Sequence, residues 1–227
     1  SFTSRDTAKA SSIFNEMLSD KNCTVFLTLA GSTSAAGCMK IYSDMIKYKM
    51  IDVVVATGAS IIDMDFFEAL GFKHYQGSQF QDDTELRKNY IDRIYDTYID
   101  EDELQMCDKT ICEIADKLEP RSYTSREFIY EIGKYLKTNA KKKNSLIEIA
   151  YDNNVPIFCP AFTDSSAGFG LVMHQEKNSK KKDSLIETAF DNNVPIFCPA
   201  FTDSSAGFGL VMHQEKKPKK CITIDSI

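Results

Sequence analysis

Residues 24–63 read TVFLTLAGSTSAAGCMKIYSDMIKYKMIDVVVATGASIID, and the reading of this stretch decides the fold. Thr24 to Leu29 is aliphatic and β-branched with no polar alternation, the pattern of a parallel strand buried on both faces. The strand meets Ala30-Gly31-Ser32-Thr33-Ser34-Ala35-Ala36-Gly37, a turn with almost no side-chain bulk. A ligand could approach such a backbone closely, and the helix after it would present free N–H groups to an anion. Met39, Tyr42, Met45, Ile46 and Met50 then recur at helical spacing. Ile51 to Val55 forms a second strand that runs into Ala56-Thr57-Gly58-Ala59-Ser60. This is a βαβ unit in which both strands end in small, hydroxyl-bearing turns. In open α/β sheets ligands bind outside the carboxyl ends of the strands, so these turns form the best candidate site.

The rest of the chain follows from that unit. At 227 residues there is room for one large α/β domain with a substantial core, and one domain over 1–227 is expected. The net charge of -6 supplies no basic face for a phosphate backbone, which argues against a nucleic-acid partner. The lysine runs at 141–143, 180–182 and 216–220 read as solvated loop or helix ends. The longest apolar run falls far below a membrane span, and no basic segment leads into an apolar one at the start, so a soluble, cytoplasmic, unsecreted chain is expected. Seven cysteines form no C-x-x-C pair, which fits reduced thiols that pack as small apolar groups.

Before the βαβ unit, a helix is expected from about Asp6 to Leu18, capped by Thr3 or Ser4. After it, Met64 to Leu70 reads as a short helix closed at Gly71, and Phe72 to Gly77 as a short extended segment carrying His74, a packed or solvent-facing histidine. Gln81 to Tyr98 is strongly charged, with apolar residues at mixed helical spacing, and reads as a helix. A clearer helix covers Asp100 to Leu118, with carboxylates in its first turn and Pro120 beyond its end. Ser122 to Glu127 caps a further helix from about Ser125 to Leu136.

Lys141–Lys177 and Lys180–Lys216 are copies at an offset of 39 residues, differing only at Asn144/Asp183, Ile149/Thr188 and Tyr151/Phe190. Each copy reads as a short helix, an Asp-Asn-Asn turn, a buried strand, then Thr-Asp-Ser-Ser-Ala-Gly-Phe-Gly and a second helical piece. A solenoid would repeat at least three times and diverge further, so a tandem duplication, two merged alternative exons or a gene-assembly artefact explains the pair better. Val155–Ala161 and Val194–Ala200 are both expected to be strands, adjacent and parallel, joined by a right-handed crossover. Leaving either in solvent would cost roughly 1.5 to 3 kcal/mol for each large apolar side chain. Cys221 to Asp225 starts another strand, and the sequence stops as it would pass to a helix, so a sheet truncated at the C-terminus is expected.

Thr28-Leu29-Ala30-Gly31, Val55-Ala56-Thr57-Gly58-Ala59, Phe66-Phe67-Glu68-Ala69-Leu70-Gly71, Arg93-Ile94-Tyr95-Asp96-Thr97-Tyr98 and Pro160-Ala161-Phe162-Thr163-Asp164 occur in this order. Together they resemble the deoxyhypusine synthase family, and its deoxyhypusine synthase-like branch most closely. The resemblance implies a Rossmann-like, doubly wound α/β fold with a mostly parallel sheet, NAD as cofactor, and a homotetramer or a mixed oligomer with a complete paralogue. It also implies aminobutyl transfer from spermidine or a related polyamine to a lysine of a hypusine-containing translation factor or to a small amine. On that pattern the cofactor contacts fall at Gly31, Ser32, Thr57, Gly58, Asp63 and Asp164, with Asp203 as the duplicate of Asp164. Asp63 stands where an acidic residue contacts a ribose hydroxyl, whereas Asp164 read alone is an Asx-turn or helix cap. This chain has Gly31-Ser32 where the family usually carries Ser-Asn, and Phe169 or Phe208 where the synthase places a second acid. The family's imine-forming lysine, its neighbouring tryptophan and a site histidine belong to a region beyond Ile227. No lysine present matches that nucleophile, which leaves a catalytically dead paralogue as the alternative. A generic nucleotide-binding module would rest on the βαβ unit alone, without a G-x-G-x-x-G fingerprint.

Overall fold

The computed structural model describes residues 2–31 and 33–178. The chain divides into units 1–176 and 177–227, and the account below concerns the first. The expectations placed on Ser32, Asp203, the strand Val194–Ala200 and the strand at Cys221–Asp225 lie outside the described residues.

Helix α1 (Phe2–Ser19) leads into strand β1 (Phe26–Leu29), a π-helical turn (Ser34–Cys38) and α2 (Met39–Lys47). Strand β2 (Val53–Ala56) follows, then a second π-helical turn (Ala59–Phe66) that continues as α3 (Phe67–Ala69). Next come β3 (Tyr75–Gln76), α4 (Asp83–Lys88), β4 (Ile91–Ile94), β5 (Thr97–Asp100), α5 (Glu101–Asp116) and α6 (Ser125–Asn139). Helix α7 (Leu146–Asp152), β6 (Ile157–Phe158) and α8 (Ser166–Asn178) complete the described residues. The fold is mixed α/β. Strands β1, β2 and β6 form a parallel sheet in that order, with Phe26 opposite Val53 and Val54 opposite Ile157.

Strand β1 departs from its expectation. Among the described residues it pairs only with β2, and Phe26 is 58% exposed instead of buried on both faces. The core forms behind it. Val54, Ile61, Ile62, Phe66, Phe67, Ile111, Ile132, Leu136, Leu146 and Ile147 are all fully buried in one cluster. Helix α7 lies deepest: Leu146, Ile147, Glu148, Ile149 and Ala150 are all buried where it packs against α2, α6 and the second π-helical turn.

Three local expectations are also corrected. The helix expected over 81–98 survives only as α4, because the chain turns at Tyr90 (φ 56) and at Tyr95 (φ 58). Between and after those turns lies an antiparallel hairpin, β4 against β5, with β3 on its far side. Arg93 holds it to α4 through a two-pronged contact with Asp83, at 2.6 and 2.9 Å. Thr3 and Ser4 do not cap α1 but lie inside it, since the helix begins at Phe2. The strand expected at Val155–Ala161 is only two residues long. The cap of α6 is as the sequence suggests, whereas Asp100, expected within the first turn of α5, precedes the helix as its cap. Asp100 accepts from the Glu103 N–H at the start of α5, and Thr124 with Glu127 forms a reciprocal capping box on α6.

Candidate functional site

Because β1, β2 and β6 are parallel, their carboxyl ends share one edge of the sheet. The segments that leave this edge are 30–38, 57–63 and 159–166, and they meet. The first two are joined by hydroxyls. Ser60, fully buried, donates from Oγ to the Gly31 carbonyl at 2.7 Å and lies 3.1 Å from Thr57 Oγ1. Ser34 Oγ donates to the Ser60 carbonyl at 3.1 Å. Small hydroxyl residues recur here because Ser34 and Ser60 bond the backbone of the facing turn.

The third segment closes on the second. Asp63 Oδ1 accepts from the Ser166 N–H at 2.9 Å, at the first residue of α8. A Cβ on Gly58 would stand 2.6 Å from Ser165 Cβ and 3.2 Å from the Asp164 carbonyl, so only glycine permits this approach. Ser165 Oγ accepts from the Ala167 N–H at 3.2 Å and donates to the Phe162 carbonyl at 2.8 Å, which fixes the entry to α8. A Cβ on Gly170 would lie 2.5 Å from the Asp108 carbonyl, so α8 also packs tightly on α5. The structure thus brings together Gly31, Thr57, Gly58, Asp63 and Asp164, all the described residues that the sequence marks as cofactor contacts.

The electrostatics of this edge are acidic. Burial pushes the Asp63 carboxyl above its usual range, opposed by the Ser166 N–H and reinforced by Asp164. Asp108 on α5 is pushed up to about 6, chiefly by burial, with the Ser166 hydroxyl opposing and with Asp63 and Glu101 adding repulsion. Its Oδ1 is buried without a hydrogen-bond partner. Burial, then Asp63, raises the Cys107 thiol well above its ordinary value, which makes that cysteine a packing residue and not a nucleophile. Asp108 and Ser60 escaped sequence reasoning. An aspartate on an amphipathic helix reads as solvated, and only the approach of α8 buries it.

A second carboxylate on the same turn faces the other way. Asp65 is 3% exposed and accepts from the Leu146 and Ile147 N–H groups at 2.8 and 2.9 Å, anchoring the start of α7. Burial pushes it up to about 7 against those two bonds, with Glu68 adding and Lys142 opposing. Beyond it Glu68 binds Lys142 and accepts or shares a proton with His74 Nδ1 at 2.9 Å, while His74 Nε2 lies 3.0 Å from Met64 Sδ. His74 is therefore packed, as its sequence setting suggests. A signal for Asp65 was present. An acid inside Ile61-Ile62-Asp63-Met64-Asp65-Phe66-Phe67, an otherwise apolar run, must find buried partners. A separate cleft of about 470 Å³, between α6, α7 and the start of β6, lies at the other end of that strand.

Known proteins share this framework. The family model for deoxyhypusine synthase matches residues 1–183 and again 177–227. The chain is 70% identical over 178 residues to the deoxyhypusine synthase-like protein of Caulobacter vibrioides, covering 78% of this chain and 48% of that one. Against the deoxyhypusine synthase-like protein of Coxiella burnetii it is 68% identical over 178 residues, covering 78% and 51%. A crystal structure assigned to deoxyhypusine synthase of Entamoeba histolytica superposes with a TM-score of 0.58 at 20% identity, covering 85% of this chain and 66% of that one. The latter likeness shows the fold. The chain belongs to the deoxyhypusine synthase family, on its deoxyhypusine synthase-like side. It spans about half the length of the relatives it matches. The two matches of the family model overlap at residues 177–183, at the junction of the two copies. Among the described residues no helix is long and apolar enough to cross a membrane, Cys23, Cys38, Cys107, Cys112 and Cys159 are free, and no group of acids, histidines and cysteines could hold a metal ion.

Proposed function

We propose that the edge formed by residues 30–38, 57–63 and 159–166 is the NAD- and polyamine-holding part of a deoxyhypusine synthase-like aminobutyltransferase. The substrate would be spermidine or a related polyamine, and the acceptor a protein lysine or a small amine. The observation that carries this reading is the meeting of Gly58, Asp63 and Asp164–Ser166 at the carboxyl ends of parallel strands. That donor set suits a dinucleotide. The Ser60 and Ile61 N–H groups after the Gly58 turn already donate to the Thr57 carbonyl, so the polar contacts fall to side chains: Asp63 can accept from a ribose hydroxyl while keeping its Ser166 bond. When bound, NAD would accept the hydride that leaves the amine-bearing carbon.

The chain's own residues supply charge and position. Burial chiefly raises the Asp63 and Asp108 carboxyls, with repulsion from Asp164 adding at Asp63 and from Asp63 and Glu101 at Asp108, and a polyamine ammonium would relieve that repulsion. The Gly31 and Thr57 turns, locked by Ser60, hold the edge in place. A second reading, a non-catalytic subunit that associates with a complete paralogue, is favoured by Phe169, which is 54% exposed at the place of the synthase's second acid. Calorimetric titration of NAD, followed by assay of diaminopropane release from spermidine, separates the readings. Binding with turnover supports transfer, binding without turnover supports the non-catalytic subunit, and absence of binding removes the cofactor site.

A further inference from the structure

The cleft between α6, α7 and the start of β6 has no part in the proposed reaction. Val155, Pro156 and Ile157 line it, before and at the start of the strand, whereas the candidate edge uses 159–166, after it. Its position follows from one glycine. A Cβ on Gly133 would stand 2.6 Å from Tyr151 Cβ and 3.2 Å from the Ile147 carbonyl, so only glycine lets α6 and α7 approach this closely. On the side of that contact toward the first turn of α6, the cleft encloses about 470 Å³, within the roughly 300–1,000 Å³ of small-molecule pockets.

The lining is apolar below and aromatic at one side. Ile129, Ile147, Ala150 and Ile157 are buried beneath it. Tyr130 and Tyr151 stand with ring centroids 4.7 Å apart, and Tyr130 is 48% exposed, which leaves much of its ring uncovered. Four charged side chains complete the rim, Arg121, Arg126, Glu127 and Glu131. Three of them are engaged. Arg121 donates to Glu127 Oε1 at 3.1 Å and lies over the Tyr123 ring, 3.7 Å from its centroid, while Glu127 also closes the capping box of α6. Glu131 pairs with Lys134 at 3.2 Å. Among the described residues Arg126 has no partner for its guanidinium. A chain with a net charge of -6 thus sets one uncompensated positive charge beside an exposed tyrosine ring.

We propose that this cleft binds an aromatic carboxylate, with its ring against Tyr130 and Tyr151 and its carboxylate held by Arg126. The charge selects the ion. With Arg121, Glu127 and Glu131 balanced by their partners, one negative charge neutralises the site, whereas a phosphate monoester would bring nearly two. The planar fork of a guanidinium also matches a carboxylate with two parallel hydrogen bonds. The walls select the ring. A bare anion would leave the tyrosine pair and the apolar floor unused, and a neutral or cationic ring would leave Arg126 unpaired.

The test titrates indoleacetate into the full chain by calorimetry, beside acetate, which keeps the charge without the ring, and tryptamine, which keeps the ring with the opposite charge. Saturable binding of indoleacetate is expected, with the other two at least about tenfold weaker. Arg126→Gln should weaken it at least about tenfold, the loss of a charge-assisted contact, and Tyr130→Ala about three- to tenfold. Arg126→Lys, which keeps the charge and loses the fork, should fall between parent and Arg126→Gln. Both side chains are exposed, and a denaturation midpoint for each variant shows that it is folded. Saturating NAD should leave the indoleacetate affinity unchanged, since the cleft and the candidate edge lie at opposite ends of β6. Acetate or tryptamine binding as tightly, equal affinity in Arg126→Gln, or no saturable binding by the folded parent would overturn the inference. Displacement by NAD would overturn it too, because the probe would then occupy the other edge.

Discussion

Asp63 and Asp65 lie two residues apart on one helical turn, yet the first reaches α8 at the sheet edge and the second reaches α7 inside the core. Asp63 is half-buried, bonds one N–H and faces other acids. Asp65 is buried, bonds two N–H groups and has Lys142 near it. The same side chain thus serves as a candidate ligand contact on one side of the turn and as a structural anchor on the other. Its partners decide which.

Removing the anchor should do the most damage. Asp65→Ala leaves the Leu146 and Ile147 N–H groups buried without their acceptor, and an unsatisfied buried group costs about 1–3 kcal/mol. A loss of about 2–4 kcal/mol in chemical denaturation is expected, and a loss below about 1 kcal/mol would erase the contrast with Asp63. Gly58→Val probes the other side by forcing a methyl-bearing carbon onto Ser165. Overpacking of this kind costs about 1–3 kcal/mol, and here it should also push α8 away from Asp63, seen as faster amide exchange at Ser166. Because Gly58 sits at φ -56, the effect is one of space and not of backbone strain.

How far the sequence revealed this pair follows from what each carboxylate touches. Asp63 is marked in the sequence by the family resemblance, which sets an acid just after the second small-residue turn. The apolar run around Asp65 signals its burial but not its partners, which lie 81 and 82 residues away and are backbone groups that no side chain announces. The hairpin at 91–100 was missed for a related reason. Ile91-Asp92-Arg93-Ile94 pairs with Thr97-Tyr98-Ile99-Asp100 through two-fold alternation too short to stand out from the charged helix α4 before it. Strands β1 and β2, α2 and the cap of α6 were readable, since each rests on neighbours in sequence.

Protonation sharpens the comparison further. Asp65 and Asp108 have folded-state pKa values of about 7 and about 6, above the ordinary 3.8 that the unfolded chain would show. A raised folded pKa gives stability that is complete below pH 3.8 and is lost as pH rises through the folded value. Stability should therefore fall from about pH 4 to about pH 6 for Asp108 and to about pH 7 for Asp65, by up to about 1.4 kcal/mol per pH unit for each group. Asp108→Asn should make the fall shallower below about pH 6, and Asp65→Asn should make it shallower throughout, leaving none above about pH 6. A profile that rises over this range would contradict the assignment of both groups.

The smallest effect on stability is expected at Asp63, where function should be lost instead. Asparagine can still accept the Ser166 N–H through its carbonyl oxygen and no longer repels Asp164, so Asp63→Asn should stay within about 1 kcal/mol of the parent. The decisive measurement is calorimetric titration of NAD into the full chain and into its Asp63→Asn variant, with denaturation midpoints recorded for both. The account predicts saturable binding by the parent and at least about tenfold weaker binding by the variant at an unchanged midpoint, the loss of one charge-assisted hydrogen bond. Equal affinity in the two proteins, or no binding by a folded parent, would contradict it.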